Sequence, residues 1–247
     1  MTPRHAYRRL LRCFGQQGWW PVTPRGAAAR APGGGRPRYR PGHAGPLPER
    51  EAAEVCLGAI LTQNTAWANV EKALESLNRA RAVDLGMIAR IPSGRLQRLI
   101  RSSGFFIQKS RKLKDFARHA LGRGRLTRWL QGPLPALREE LLSLRGVGPE
   151  TADSMLLYAA DRPVFVVDAY TRRIGERLGW LKAGMTYDEV ATFFSERLPR
   201  SAYIYQELHA LLVALGKYNC RKDPVCLGCP LLDGCPEGRR RMRIGLS

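Results

Sequence analysis

Residues Leu141 to Thr171 read LLSLRGVGPETADSMLLYAADRPVFVVDAYT and divide into four pieces. Leu141, Leu142 and Leu144 close an apolar helical face, and Arg145-Gly146-Val147-Gly148-Pro149 follows as a tight turn. Glu150 to Ala160 is predicted as a second helix, with Ala152, Met155, Leu156 and Ala159 along one side. Val164 to Val167 is a short buried run that delivers Asp168. Two glycines around one apolar residue let the backbone turn sharply, and Pro149 suits the first position of the next helix. The exposed N–H groups of such a turn, at a helix N-terminus, can hold a phosphate. Gly146 and Gly148, with Arg145 beside them, are thus the expected backbone-gripping residues of a helical hairpin that holds DNA without reading its sequence.

Asp168 has an ordinary explanation as the N-cap of a helix beginning Ala169-Tyr170-Thr171. Its distance from the hairpin adds a second one. A helical hairpin, a Pro-containing turn and then an Asp resembles the signature of the helix-hairpin-helix DNA glycosylases, in which that Asp is the catalytic carboxylate. Capping and catalysis can coexist in one side chain.

Length and composition agree with this direction. A chain of 247 residues can hold one large or two modest domains, and 44% apolar residues can build a core. The formal charge of +20 predicts attraction to a polyanion, of which nucleic acid is the commonest. No apolar run reaches the length of a membrane span, and no signal-peptide core opens the chain. The expectation is a cytoplasmic, DNA-facing monomer with no membrane partner, nucleoid-associated if bacterial.

Residues 1–48 contain no Asp or Glu. Arg4, Arg8, Arg9 and Arg12 share a first helix with Leu10, Leu11 and Phe14; after Trp19-Trp20-Pro21, the Gly/Pro/Arg-rich passage 24–46 reads as irregular. An acid-free, Arg-rich start is also how a transit peptide reads, but adjacent tryptophans point to a structured segment. From Glu49 the texture becomes helical. The apolar pattern from Pro48 to Leu77 is broken at Leu61-Thr62-Gln63-Asn64-Thr65-Ala66-Trp67, a polar cluster that is costly unless it faces solvent or a ligand. It resembles the family's helix-to-helix corner, where a Gln enters the duplex beside the displaced nucleotide, and Gln63 matches that place. Arg101 to Lys109 (RSSGFFIQK) resembles the family's second DNA-probing loop, which ends in a Lys-bearing helix. Phe105 is the candidate wedge and Lys109 a candidate DNA contact, against the plainer reading of Phe105 and Phe106 as core.

Two further helices fall within 111–145, broken around Gly122-Arg123-Gly124 and Gln131-Gly132-Pro133. Tyr187 to Leu198 and Tyr203 to Leu215 read as amphipathic helices. With no alternating strand pattern, the fold class is all-α, and the resemblance implies two lobes: a central domain over 50–167 ending in the hairpin, and a second built from 1–49 plus 168–247.

Cys220, Cys226, Cys229 and Cys235 form C-x5-C-x2-C-x5-C within sixteen residues. Four thiols at this density in an intracellular chain indicate a metal site rather than disulfides, with a tetrahedral zinc and a [4Fe-4S] cluster both chemically open. Zinc ribbons usually use two CxxC pairs, and only one is present. The pattern resembles the iron–sulfur loop of endonuclease III and adenine-mismatch glycosylases, one residue shorter in the first spacer, which implies a [4Fe-4S] cluster in preference to zinc. Cys13 and Cys56 read as ordinary buried thiols.

The resemblance, to the endonuclease III branch over about Glu49 to Cys235, also speaks to chemistry. Bifunctional members carry a Lys in a Gly-Val-Gly-x-Lys arrangement, whose amine forms a Schiff base with the sugar. Here that position is Glu150, which cannot make an imine and is well placed against a helix dipole. This implies a monofunctional, water-using glycosylase, with Asp168 stabilising oxocarbenium character and orienting water. The target nucleotide must be flipped into a pocket, for which Trp19, Trp20 and Trp67 are candidates together with Glu150, because stacked indoles favour a cationic ring. Trp-Trp-Pro, Gln-Asn-Thr-x-aromatic and Gly-x-Gly-x-Glu-[ST]-Ala-Asp resemble the endonuclease III-like 3-methyladenine DNA glycosylases. The implied substrate is duplex DNA carrying an alkylated purine of the 3-methyladenine or 7-methylguanine type. Three alternatives stay open: a bifunctional oxidised-pyrimidine enzyme borrowing Lys109 or Lys217, a mismatch or uracil glycosylase, and a non-catalytic structure-specific DNA-binding protein.

Overall fold

The computed structural model describes residues 1–24 and 35–245, which form two compact units. One holds Met1–Trp19 and Pro163–Ser247, the other Trp20–Arg162. Among the described residues the structure is helical, with one isolated antiparallel bridge, Val22 to Arg38, and no strand. The all-α expectation therefore holds. Of the passage 24–46, residues 25–34 lie outside the described residues; 35–46 are irregular apart from that bridge.

The units part between the two tryptophans, whereas residues 20–49 were expected to travel with the terminal domain. Hydrogen bonds explain the difference. Val22 and Arg38 exchange backbone bonds, the Leu47 N–H donates to the Ala159 carbonyl, and Thr23 donates through N–H (3.0 Å) and hydroxyl (2.5 Å) to Glu54. The first closes the segment on itself, and the other two hold it to the unit that carries the hairpin.

That unit is built around α2 (Glu49–Thr62), in which every residue from Ala52 to Leu61 is buried. Its interior acid, Glu54, is fully buried and is accommodated by Thr23, Arg50 and Asn78; burial still leaves its pKa raised, with those partners pulling the other way. α3 (Trp67–Arg79) packs on it, α4 (Leu85–Arg90) and α5 (Ser93–Leu99) pack on α6 (Phe106–Gly122), and α6 and α7 (Leu126–Trp129) pack on α2 in turn. The hairpin pair is α8 (Leu134–Ser143) and α9 (Pro149–Ser154), and α9 continues as a π-helical turn over Met155–Ala159. The expected single helix from Glu150 to Ala160 is thus two kinds of helix. All five residues of the π segment are buried, and it packs on α2.

The other unit contains α1 (Pro3–Phe14), α10 (Ala169–Arg177), α11 (Tyr187–Arg197), α12 (Ala202–Tyr218) and α13 (Pro236–Arg243). α12 is its central helix, buried at Ala202 and from Tyr205 to Gly216. Caps set the boundaries. Thr2 accepts from the His5 N–H at the start of α1, and Thr186 and Glu189 form a reciprocal capping box on α11. Cys56 is buried as expected, but Cys13 is exposed, in the last turn of α1 beyond its buried residues Pro3, Ala6 and Leu10.

Candidate functional site

In the hairpin unit, the turn between α8 and α9 is shaped by Gly146 at φ +77°, a left-handed conformation that glycine enters without steric cost. Val147 is buried while Arg145, Gly146 and Gly148 are exposed, so the turn plants one apolar side chain inward and leaves its backbone outside. Gly148 is the N-cap and Pro149 the first residue of α9. Glu150, in the first turn of α9, is exposed.

Gln63 belongs to this turn. Its amide donates to the Gly146 carbonyl and to the Thr151 hydroxyl, both at 2.9 Å, and its side-chain oxygen accepts from Lys112 Nζ at 2.6 Å. Lys112 and Thr151 were not expected from the sequence, since nothing in their spacing sets them apart from other helical residues. Asn64 adopts φ +51° just beyond Gln63, which turns the corner into α3.

The Arg101–Lys109 loop presents Phe105 to solvent: it is 62% exposed, at φ +44°, and N-caps α6 without a side-chain bond. A left-handed phenylalanine is uncommon and strained, and its ring is outside the core. Lys109 goes the other way and is no surface contact for DNA. It is 2% exposed, its ammonium donating to the carbonyls of Leu61 (2.7 Å) and Ser103 (2.6 Å), and burial together with Lys112 lowers its pKa to about 8. Thr65 also donates to the Ser103 carbonyl, and Ser102 donates to the Asn69 carbonyl at 2.9 Å. Lys109 therefore braces the Gln63 corner to the Phe105 loop; the helical position alone did not reveal which way its long side chain turned.

Trp20 and Trp67 meet edge to face in the same unit, centroids 5.2 Å apart, and Trp20 also abuts Tyr158 at 5.3 Å. Trp20 is buried and packs against Gly58, so it backs Trp67 rather than offering a face of its own. Trp67 is half-buried, its indole N–H donating to Glu71 at 2.9 Å.

In the terminal unit, Asp168 N-caps α10, with Oδ1 accepting from the Thr171 N–H at 2.7 Å. The extended run before it is anchored by Phe165, which stacks on Phe194 at 4.4 Å and meets Tyr205 edge-on, while the Val167 N–H donates to the Tyr187 hydroxyl. Its other oxygen, Oδ2, lies 3.7 Å from Nε2 of His209, a buried residue of α12. Trp19 stands edge-on to His209 and under Lys217 Nζ, 5.9 Å from its ring centroid. His209 is one polar residue in the apolar run Leu208–Leu215, a signal that could have flagged it.

Cys220, Cys226, Cys229 and Cys235 line one cavity together with Arg177 and Gly238. Cys220 follows α12 and has Arg177 Nη1 at 3.3 Å from its sulfur; Cys235 N-caps α13, its sulfur accepting from the Gly238 N–H. Burial raises the thiols of Cys226 and Cys235 and pushes Cys229 up to about 11. An all-sulfur, partly buried set of this kind ionises readily only against a bound cation, and it suits a soft, thiophilic metal group. Among the described residues no three His, Cys, Asp or Glu side chains are disposed to hold a single metal ion; the sulfurs surround a cavity instead. No helix among the described residues is long and apolar enough to cross a membrane.

Comparison with known proteins agrees with this geometry. Residues 57–200, which include the hairpin and Asp168, match the family described as HhH-GPD superfamily base excision DNA repair protein. A Methanocaldococcus jannaschii protein provisionally named a DNA repair glycosylase is 38% identical over 232 residues, 93% of each chain. Endonuclease III of Thermotoga maritima is 30% identical over 194 residues, 78% of this chain and 86% of its own. Among solved structures, the Helicobacter pylori 3-methyladenine DNA glycosylase MagIII bound to 1,N6-ethenoadenine superposes with a TM-score of 0.61 at 30% identity, over 69% of this chain and 89% of that one. A Gly-turned helical hairpin followed by an aspartate cap, with these relatives, places the chain in the HhH-GPD superfamily of base excision repair DNA glycosylases.

Proposed function

We propose that this DNA glycosylase is monofunctional and releases alkylated purines from damaged duplex DNA, acting as a monomer. The observation that carries the reading is Glu150. It occupies the first turn of α9, where a bifunctional enzyme needs an amine, and a carboxylate cannot form the Schiff base that precedes strand cleavage. Water is then the nucleophile. The N-glycosidic bond breaks with its electron pair leaving on the base, positive charge develops on the sugar, and Asp168 stabilises that charge and orients the water that adds at the anomeric carbon. A purine alkylated at ring nitrogen is already cationic and leaves as a neutral base, so binding need only favour a cation. The half-buried ring of Trp67 suits this, at about 0.5–2 kcal/mol for a cation–π contact. Likeness to MagIII, a 3-methyladenine glycosylase by name, supports the same substrate class.

Gly146, Gly148 and Arg145 grip the phosphates, and Gln63 and Phe105 probe the stack around the flipped nucleotide. Cys220, Cys226, Cys229 and Cys235 would hold a [4Fe-4S] cluster in preference to zinc. When bound it would supply a structural tie between the end of α12 and the Arg-rich α13.

Likeness to endonuclease III favours a second reading, a bifunctional enzyme on oxidised pyrimidines. It needs a substitute amine, and Lys109 is engaged by two carbonyls. A panel of lesion duplexes separates the readings: release of free 3-methyladenine by wild type and not by Asp168→Asn supports the proposal. Release of an oxidised pyrimidine with no alkylpurine activity rejects it.

A further inference from the structure

Several elements of the terminal unit converge on Asp168. Its Oδ1 is committed to the cap of α10, which leaves Oδ2 to face the reaction. Oδ2 lies 3.7 Å from His209 Nε2, with both side chains largely buried, at 12% and 6% exposure. The His209 ring is itself seated. The N–H groups of Gln17 (2.8 Å) and Gly18 (3.0 Å) donate to the two carboxylate oxygens of Glu207, two residues earlier on α12, and this fixes the chain so that Trp19 stands edge-on to the imidazole. We infer that His209 is a positioning residue, holding Oδ2 of Asp168 while the helix cap holds Oδ1, so that the carboxylate keeps one orientation as the base departs.

Three physical points support this. A buried imidazole in the apolar run Leu208–Leu215 gains from a polar neighbour such as the Asp168 carboxylate, which a leucine at this position could not engage. The 3.7 Å separation is longer than a hydrogen bond, yet a small side-chain rotation closes it, and contacts of this kind commonly tighten when substrate engages. Burial lowers the pKa of His209, with Asp168 acting in the opposite sense, so the ring stays neutral at ordinary pH. A neutral donor orients a carboxylate without adding a positive charge that would oppose an oxocarbenium ion; donation from Nε2 requires the tautomer with its proton there.

The inference rests on Asp168 being the hydrolytic carboxylate, so Asp168→Asn is assayed beside His209→Leu and His209→Gln on alkylated duplex under single-turnover conditions. His209→Leu is expected to lose about ten-fold or more in the excision rate with duplex affinity within about two-fold; His209→Gln, which keeps a donor, should recover most of the rate. A wild-type rate in His209→Leu, or equal losses in both variants that follow melting temperature, overturns the inference. Should His209→Leu not fold, His209→Asn, a polar residue too short to reach Oδ2, takes its place under the same criteria. Activity retained by Asp168→Asn would instead reject the proposed function.

Discussion

The two glycines of the hairpin turn are expected to fail in different ways when substituted. Gly146 sits at φ +77°, where an L-residue pays about 1–2 kcal/mol. A Cβ there would meet Lys112 at 2.3 Å from Cε and 2.9 Å from Nζ, so the lysine must withdraw and its 2.6 Å bond to Gln63 is lost, at about 1 kcal/mol. Gly146→Ala should therefore destabilise the protein by about 2–3 kcal/mol, a fall in Tm of roughly 4–12 °C for a chain of this size. Gly148 has φ −94° and ψ 178°, extended backbone that β-branched residues favour, and an added Cβ meets no atom within 4 Å. Gly148 is also the N-cap of α9, and valine caps less well than glycine, so Gly148→Val should cost about 1 kcal/mol while placing a branched side chain where a phosphate must approach. Thermal unfolding and binding to matched damaged and undamaged duplexes read both effects. Gly148→Val should lose affinity for both duplexes in parallel with a fall in Tm of no more than about 2–4 °C. A Gly146→Ala protein that melts with wild type, or a Gly148→Val protein that loses only lesion discrimination, would refute the reasoning.

Other consequences are as direct. Asp168→Asn should reduce excision by at least about 10²-fold while leaving Tm and duplex affinity nearly unchanged, because Asn caps a helix almost as well as Asp; kinetics and melting check both halves. Lys109→Met should destabilise the protein by about 2–4 kcal/mol, since the carbonyls of Leu61 and Ser103 lose their donor; urea unfolding measures it. The Lys109 amine falls from 10.5 to about 8 on folding, so the unfolded chain binds its proton more strongly between those values. The advantage of wild type over Lys109→Met should accordingly grow as pH rises from about 8 to about 10.5, and a difference that shrinks over this window would contradict the assignment. Purified protein should absorb broadly in the visible and contain about four irons per chain, lost with Cys229→Ser; elemental analysis showing one zinc and no iron would reject the cluster.

Much of the fold was legible because helices announce themselves by period and punctuation. Gly146-Val147-Gly148-Pro149 marked the hairpin, and Asp168 marked the start of the following helix, because glycine freedom, proline's fixed φ and aspartate's capping are local properties. What depends on long-range contact was not legible. Lys109 carries a charge suited to DNA, but whether its ammonium points out or back onto Leu61 and Ser103 depends on a corner forty-eight residues away. Trp19 and Trp20 are neighbours in sequence, yet the chain divides between them, Trp20 joining Trp67 and Tyr158 while Trp19 joins His209. His209 escaped notice because a single histidine in an apolar helix has no partner visible until α10 is placed beside α12. The π-helical turn at Met155–Ala159 has no signature in an apolar sequence that suits an α-helix equally.

The most direct test of the monofunctional claim is a time course on duplex carrying one alkylated purine, each sample split and analysed with and without alkali, with borohydride present in a parallel series. An enzyme that uses water at Asp168, with Glu150 in place of an amine, should yield strand breaks only after alkali and no trapped protein–DNA adduct. Breaks that accumulate at the same rate without alkali, together with a borohydride-trapped adduct, would contradict it.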